Sequence, residues 1–311
     1  MAAITASMVK ELRELSGAGM MDCKKALTEC DGDFDQAMEF LRKKGLATAQ
    51  KKAGRIAAEG IVATNVTADG KVAAIVEVNA ETDFVAKNDV FQGFVNEVCA
   101  QLVNTNAKNM DEFKEEKWAL DDSMTVNEKL AAMIAKIGEN MNIRRFEKIT
   151  TDGMVVSYIH AGGKIGVLVE ADTDGSGAEV EECLKNVAMQ IAAMNPKYVS
   201  TDEVSEEYKA NELKILVDQA KNDPKNANKP ENIIEKMVQG RLNKELKEVC
   251  LLEQEYVKAE EKENVAKYVE KVAKAAGCKL AIKSFVRFET GEGLEKKNED
   301  FAAEVAAQMG M

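Results

Sequence analysis

The chain has 311 residues, with 54 acidic and 42 basic side chains and a formal net charge of −12. This length predicts about two compact domains, and the charge argues against a general polyphosphate binder, because nonspecific nucleic-acid affinity comes from neutralising phosphates. The single histidine, His160, excludes sites that need two imidazoles, such as the H-E-x-x-H zinc site. We therefore expect no bound metal and no direct nucleic-acid binding.

Two further features indicate the compartment and the dominant secondary structure. No apolar run approaches the roughly 20 residues that span a bilayer, and residues 1–15 lack a signal or transit pattern, so we expect a cytoplasmic protein without membrane association. The six cysteines contain no C-x-x-C pair, which favours free thiols over a metal or redox motif. With only three prolines in the chain, helix should dominate.

Three short helical patterns occupy the first 45 residues. Apolar side chains recur every three or four residues in each pattern, at Met8, Leu12 and Leu15, then Met20, Cys23, Leu27 and Cys30, then Phe34, Met38 and Leu41. Asp33 is a plausible N-cap for the third helix, and Gly45 is predicted to end it. Residues 1–55 therefore form a three-helix module, in which the basic stretch 43–55 is expected to be a tether.

An internal repeat follows the tether. Residues 60–77 (GIVATNVTADGKVAAIVE) align without a gap to residues 153–170 (GMVVSYIHAGGKIGVLVE), and the identical pairs include Lys71/Lys164 and Glu77/Glu170. Each copy has two β-rich runs joined by a glycine turn, which is typical of a hairpin, and a helical apolar stripe follows each copy. We infer an α+β fold with a duplicated core of antiparallel sheets, each covered on one face by helix.

The remaining segments complete this organisation. The first core subdomain covers residues 56–150, in which 104–127 is expected to be a polar surface connection and 126–141 a helix. The second begins at 151–201 and is completed by 251–290, in which Lys279–Glu289 adds a strand. Between these parts, residues 202–250 form a protruding antiparallel helical hairpin joined by turn-forming residues. A C-terminal module covers residues 291–311.

The junction after the first hairpin, residues 79–88 (NAETDFVAKN), has two interpretations. One is a helix start in which Thr82 or Asp83 caps exposed N–H groups and Phe84 packs inward. The other is a loop that presents an acid beside an aromatic side chain, as in protein–protein anchor residues. The equivalent segment of the second copy, residues 173–177, has no aromatic side chain. A shared capping role does not explain this difference, so the comparison favours the second interpretation.

Several ordered segments together resemble bacterial translation elongation factor Ts over nearly the full length. These segments are residues 15–27 (LSGAGMMDCKKAL), 82–87 (TDFVAK), 135–140 (AKIGEN), His160 with 165–169, 287–288 and 301–306 (FAAEVA). The resemblance implies a UBA-like N-terminal module, a two-part core, a protruding helical hairpin and a C-terminal module.

The same resemblance implies a guanine-nucleotide exchange factor for the GTPase elongation factor Tu, which makes or breaks no bond and needs no cofactor. It assigns a GDP-release wedge, which disturbs the magnesium and phosphate site of the partner, to Thr82, Asp83, Phe84 and Val85. It assigns further partner contacts to Met20, Lys24, Ile137, Gly138 and His160. A homodimer and a 2:2 complex with the GTPase both stay open.

Two other functional classes remain as alternatives. The three-helix module could make the chain an adaptor that recruits an unrelated peptide or a ubiquitin-like surface. The other alternative is an enzyme with His160 as its acid or base, but the sequence marks no nucleophile beside that residue. A lone histidine is more often a surface or packing residue than a catalyst.

Overall fold

The computed structural model describes residues 3–226, 229–259 and 261–295. Its N-terminal module contains three helices, α1 Ala6–Ser16, α2 Met20–Glu29 and α3 Phe34–Lys52. Asp33 caps α3 as predicted, because its carboxylate accepts the N–H of Gln36 at 3.0 Å. The prediction that Gly45 ends this helix is wrong. Gly45 is buried inside α3, which continues through most of the expected tether.

The first half of the core combines a three-stranded antiparallel sheet with helices on one face. Its elements in chain order are β1 Glu59–Val66, β2 Val72–Ala80, α4 Asp83–Ala86, α5 Asp89–Asn104, α6 Met110–Glu115, β3 Lys117–Trp118, β4 Asp121–Thr125, α7 Val126–Ile137 and β5 Met141–Thr150. The strand order is β1-β2-β5, and the short strands β3 and β4 form a separate hairpin. The apolar stripe predicted for α5 packs on the sheet, with Phe91 and Phe94 buried.

The charged stretch 104–127 is more than the surface connection expected from its composition. Phe113 and Trp118 are buried in the core of the first subdomain, where the Trp118 ring stacks on Phe94 with 6.0 Å between centroids. On the outer side, the guanidinium of Arg42 in α3 donates to the hydroxyl of Ser123 in β4 at 2.6 Å. The stretch therefore contributes to the core and also contacts the N-terminal module.

The second half of the core repeats the architecture around another antiparallel sheet. Its elements are β6 Met154–His160, β7 Ile165–Thr173, α8 Ala178–Met194, α9 Glu206–Asn222, α10 Glu231–Val249, α11 Val265–Ala276 and β8 Leu280–Glu289. The strand order is β6-β7-β8, which confirms the predicted extra strand. Helices α9 and α10 form the predicted hairpin with a small apolar core of their own, whereas α11 was not predicted.

The two sheets face each other, and the main helices lie outside them. Val62 and Ile75 of the first sheet pack against Val155 and Leu168 of the second in a shared apolar layer. Helix α5 covers the outer face of the first sheet, and α8 and α11 cover the outer face of the second. The duplication thus gives a four-layer arrangement of helix, sheet, sheet and helix, and the α+β fold class is confirmed.

Within the described ranges, no helix combines the length and the apolar character needed to cross a membrane. The same residues contain no group of three or more His, Cys, Asp or Glu side chains arranged to hold a metal ion. Most of the expected C-terminal module, including the segment 301–306, lies outside the described residues.

Candidate partner-binding site at the end of β2

The candidate site begins where β2 ends at Ala80 and the chain turns into the single helical turn α4. Thr82 occupies the N-cap position, and its hydroxyl oxygen accepts the N–H of Val85 at 3.3 Å. Asn88 then caps α5 by accepting the N–H of Val90 at 2.9 Å. The capping part of the helix-start interpretation is therefore correct, with Thr82 rather than Asp83 as the cap.

The side chain of Phe84 projects into solvent. It is 81% exposed, so the helix-start interpretation is wrong in the part that has Phe84 packing inward. The two residues that follow it anchor the turn, because Val85 packs on the core of the first subdomain and Ala86 is buried. Burying a phenylalanine side chain is worth roughly 1.5–3 kcal/mol. The free protein leaves that stabilisation unused, and a surface that covered the ring would gain it.

Asp83 places a carboxylate next to the exposed ring. Its Oδ2 accepts a hydrogen bond from Nζ of Lys87 at 2.7 Å, one helical turn away. This hydrogen bond, together with the charges of Lys87 and Lys164, holds the pKa of Asp83 below its usual value. The segment therefore presents an ionised acid and an aromatic side chain side by side at neutral pH.

The residues predicted at the end of α7 lie beside this segment. Gly138 ends the helix in the left-handed conformation, with φ +91°, and is exposed, whereas Ile137 packs partly on the core. Glu139, which follows, accepts the N–H of Thr82 at 3.0 Å. The structure thus brings residues 137–138 next to residues 82–85. Glu139 was missed from the sequence, because no local pattern links two segments so far apart in the chain.

His160 lies at the end of β6 and is exposed. Its Nδ1 is 2.9 Å from the hydroxyl oxygen of Tyr158. The following turn leads to Lys164, whose Nζ donates to Glu59 at 2.7 Å and whose charge contributes to the low pKa of Asp83. The turn after His160 is therefore close enough to the Asp83 segment to influence it electrostatically.

Met20 and Lys24 lie on α2 of the N-terminal module. Met20 is 56% exposed, and its neighbour Met21 and the α1 residue Leu15 are also exposed. Lys24 is exposed on the same helix. Exposed methionines provide an adaptable apolar surface. The module thus offers a second apolar surface besides Phe84.

Comparison with known proteins shows one consistent family. The model of the family described as Elongation factor TS matches residues 81–292. Elongation factor Ts of Clostridioides difficile strain 630 is 53% identical over 309 residues, which cover 99% of this chain and 100% of that protein. Elongation factor Ts of Clostridium novyi is 52% identical over 98% of this chain and 99% of that protein. Elongation factor Ts of Clostridium botulinum strain Okra is 49% identical over 98% of each chain.

The duplicated α+β core with its exposed acid and aromatic pair is, on these matches, that of a translation elongation factor. The chain belongs to the elongation factor Ts family. Both the segment around Phe84 and the turn after α7 lie inside the matched range.

Proposed function

We propose that the chain is a guanine-nucleotide exchange factor that binds elongation factor Tu and promotes the release of GDP during translation elongation. The observation that carries the proposal is Phe84, exposed on an anchored helical turn beside the ionised Asp83, in a member of this family. An exposed aromatic ring on a rigid scaffold is suited to insertion between elements of a partner.

The exchange follows from thermodynamic linkage. A factor that binds the nucleotide-free partner more tightly than the GDP-bound partner must weaken GDP binding by the same coupling free energy. A coupling of about 3 kcal/mol corresponds to roughly 150-fold in affinity. Phe84 supplies the insertion, and the carboxylate of Asp83 brings a negative charge to a site that binds magnesium and phosphate. No bond is made or broken, so the protein acts without catalytic side chains or a cofactor.

The remaining predicted residues take supporting roles in this proposal. Ile137, Gly138 and His160 contact the partner around the Phe84 segment, and Met20 and Lys24 add a contact from the N-terminal module. The site of action is the cytoplasm, and direct nucleic-acid contact plays no part. Binding as a monomer, as a homodimer or in a 2:2 complex is compatible with this mechanism.

A displacement assay with a fluorescent GDP analogue tests the proposal. Elongation factor Tu loaded with the analogue is mixed with unlabelled GDP and increasing amounts of this protein. We expect the release rate to rise to a plateau, and excess GDP to weaken the binding of this protein to elongation factor Tu by the factor that linkage requires. An unchanged release rate at saturating protein would reject the exchange function.

A further inference from the structure

The turn after α7 holds the start of the Phe84 segment through a reciprocal pair of carboxylates. One carboxylate oxygen of Glu139 accepts the N–H of Thr82 at 3.0 Å, and the other accepts the hydroxyl of Thr82 at 2.7 Å. In return, the carboxylate of Glu81 accepts the N–H of Asn140 at 2.6 Å. Residues 81–82 and residues 139–140 are therefore linked twice, and each pair both donates to the other and accepts from it.

The turn that provides Glu139 is itself fixed. The carbonyl oxygen of Gly138 accepts a hydrogen bond from Lys52, near the end of α3. The side-chain amide of Asn140 is buried and donates to the carbonyl oxygen of Arg55 at 2.8 Å. The residues on both sides of Glu139 are thus held by hydrogen bonds to Lys52 and Arg55. The Glu139 carboxylate therefore has a fixed position from which it can orient Thr82.

Helix α4 depends on contacts from outside the helix because it is only one turn long. A single turn has no intrinsic stability in water, since helix nucleation is unfavourable. The hydroxyl of Thr82 has two roles here: it donates to Glu139 and accepts the N–H of Val85. Glu139 therefore fixes the orientation of the hydroxyl that caps α4, and α4 carries Asp83 and Phe84.

We propose that Glu139 is a positioning residue for nucleotide exchange. It acts through Thr82 and holds Phe84 in its projecting orientation, and the same contact fixes Ile137 and Gly138 relative to the Phe84 segment. This inference rests on the proposed exchange function. Loss of Glu139 lowers the maximal rate of GDP release more than it weakens binding of the partner, because the other contact surfaces stay intact.

The first test measures how well the backbone of the Phe84 segment is protected from hydrogen exchange in the free protein, without the partner. Hydrogen exchange of the Thr82 and Val85 amides is compared in the wild type, Glu139→Ala and Glu139→Gln, with Glu147→Ala as a control for loss of an exposed carboxylate from the neighbouring strand β5. We expect the two amides to exchange about tenfold faster or more in Glu139→Ala, the scale of losing hydrogen bonds to a charged group. Glu139→Gln keeps its shape and one acceptor and should fall in between. Unchanged protection of both amides would overturn the positioning role.

The second test measures GDP release from elongation factor Tu as a function of the concentration of each variant. We expect the plateau rate of Glu139→Ala to fall about tenfold, whereas the half-saturating concentration changes by less than about threefold. Because Glu139 and Thr82 share the hydrogen bond of the Thr82 hydroxyl, the double variant with Thr82→Val should be slowed by less than the product of the two single effects. A wild-type plateau with Glu139→Ala would overturn this inference alone. Absence of stimulation by the wild type would reject the exchange function and, with it, the role of Glu139.

Discussion

The backbone N–H of Val62 donates to the carbonyl oxygen of Gly163 at 2.7 Å. The equivalent residues of the repeat make the same contact in the opposite direction, because Val155 donates to the carbonyl oxygen of Gly70 at 2.8 Å. Each hairpin turn therefore docks on the first strand of the other hairpin. These reciprocal bonds join the two sheets and stiffen the scaffold that carries the Phe84 segment.

The two adjacent glycines of the second turn test this docking. Gly163 has φ +95°, and an added Cβ would lie 2.9 Å from Cβ of Ile61, whereas Gly162 has φ +64° and open space around it. We expect Gly162→Ala to cost about 1 kcal/mol from backbone strain alone. Gly163→Ala adds a clash between the sheets and should cost about 3 kcal/mol or more. Chemical unfolding of both variants measures the difference, and equal losses would contradict the tight docking.

Glu77 is a buried carboxylate that connects the first sheet to the end of β8. It accepts from Nε of Arg145 at 2.6 Å and from the N–H of Gly291 at 2.8 Å. Burial acts to raise the pKa of Glu77, but the hydrogen bonds from Gly291, Asn79 and Arg145 outweigh it and hold the pKa below the usual value. The charged form is therefore stabilised in the folded protein.

The depressed pKa of Glu77 gives a pH-dependent contribution to stability. This contribution is fully present above the ordinary glutamate pKa of 4.5 and is lost as the pH falls through the lower folded-state value. Arg144 also pairs with Glu77, at 3.1 Å. We expect Glu77→Gln to be less stable than the wild type by about 3 kcal/mol at pH 7, because it leaves Arg144 and Arg145 without their charged partner. The difference should shrink as the pH falls below about 4.5. Urea unfolding of the wild type and Glu77→Gln between pH 7 and pH values below about 4.5 measures this difference. A stability difference that does not change with pH would disprove the role of the Glu77 charge.

Gly45 lies where α3 packs on α7. A Cβ added there would lie 3.6 Å from the carbonyl oxygen of Ala131, an ordinary contact distance. Gly45→Ala should therefore stabilise the protein by about 0.5–1 kcal/mol through helix propensity. Gly45→Leu exceeds the space and should loosen the N-terminal module. Thermal unfolding distinguishes the two, and destabilisation by alanine would contradict the claim that there is room for a methyl group between the helices.

Local sequence patterns predicted most of the fold. They missed the elements whose stabilising contacts come from residues far away in the chain. The hairpins, α5, α8, α9 and α10 follow from apolar periodicity and turn glycines. Strand β5 was missed because Arg144 and Arg145 hide its pattern, and their partner Glu77 lies on another strand. In the same way, the charged composition of residues 104–127 concealed the buried Phe113 and Trp118.

The candidate site also contains residues that the sequence predicted and one that it did not. The difference between the two copies of the repeat singled out Asp83 and Phe84, and the resemblance to the family added Ile137 and Gly138. The sequence did not reveal Glu139, because its contact with Thr82 spans 57 residues and follows no local rule. Contacts of this kind become visible only when the chain is folded.

The role of Phe84 is tested by truncation against a matched control. Leu120, in the turn between β3 and β4, is also a large exposed apolar residue, at 71% exposure. We expect Phe84→Ala and Leu120→Ala each to change the free energy of unfolding by less than about 0.5 kcal/mol, because neither side chain is buried. Any difference between them in exchange then reflects function rather than folding.

The most direct measurement is the plateau rate of GDP release from elongation factor Tu at saturating concentrations of the two variants. Loss of a central aromatic anchor typically costs about 2 kcal/mol or more, so Phe84→Ala should lower the plateau rate by at least about tenfold. Leu120→Ala should match the wild type. A wild-type plateau rate with Phe84→Ala would contradict the proposal that this exposed ring drives the release of GDP.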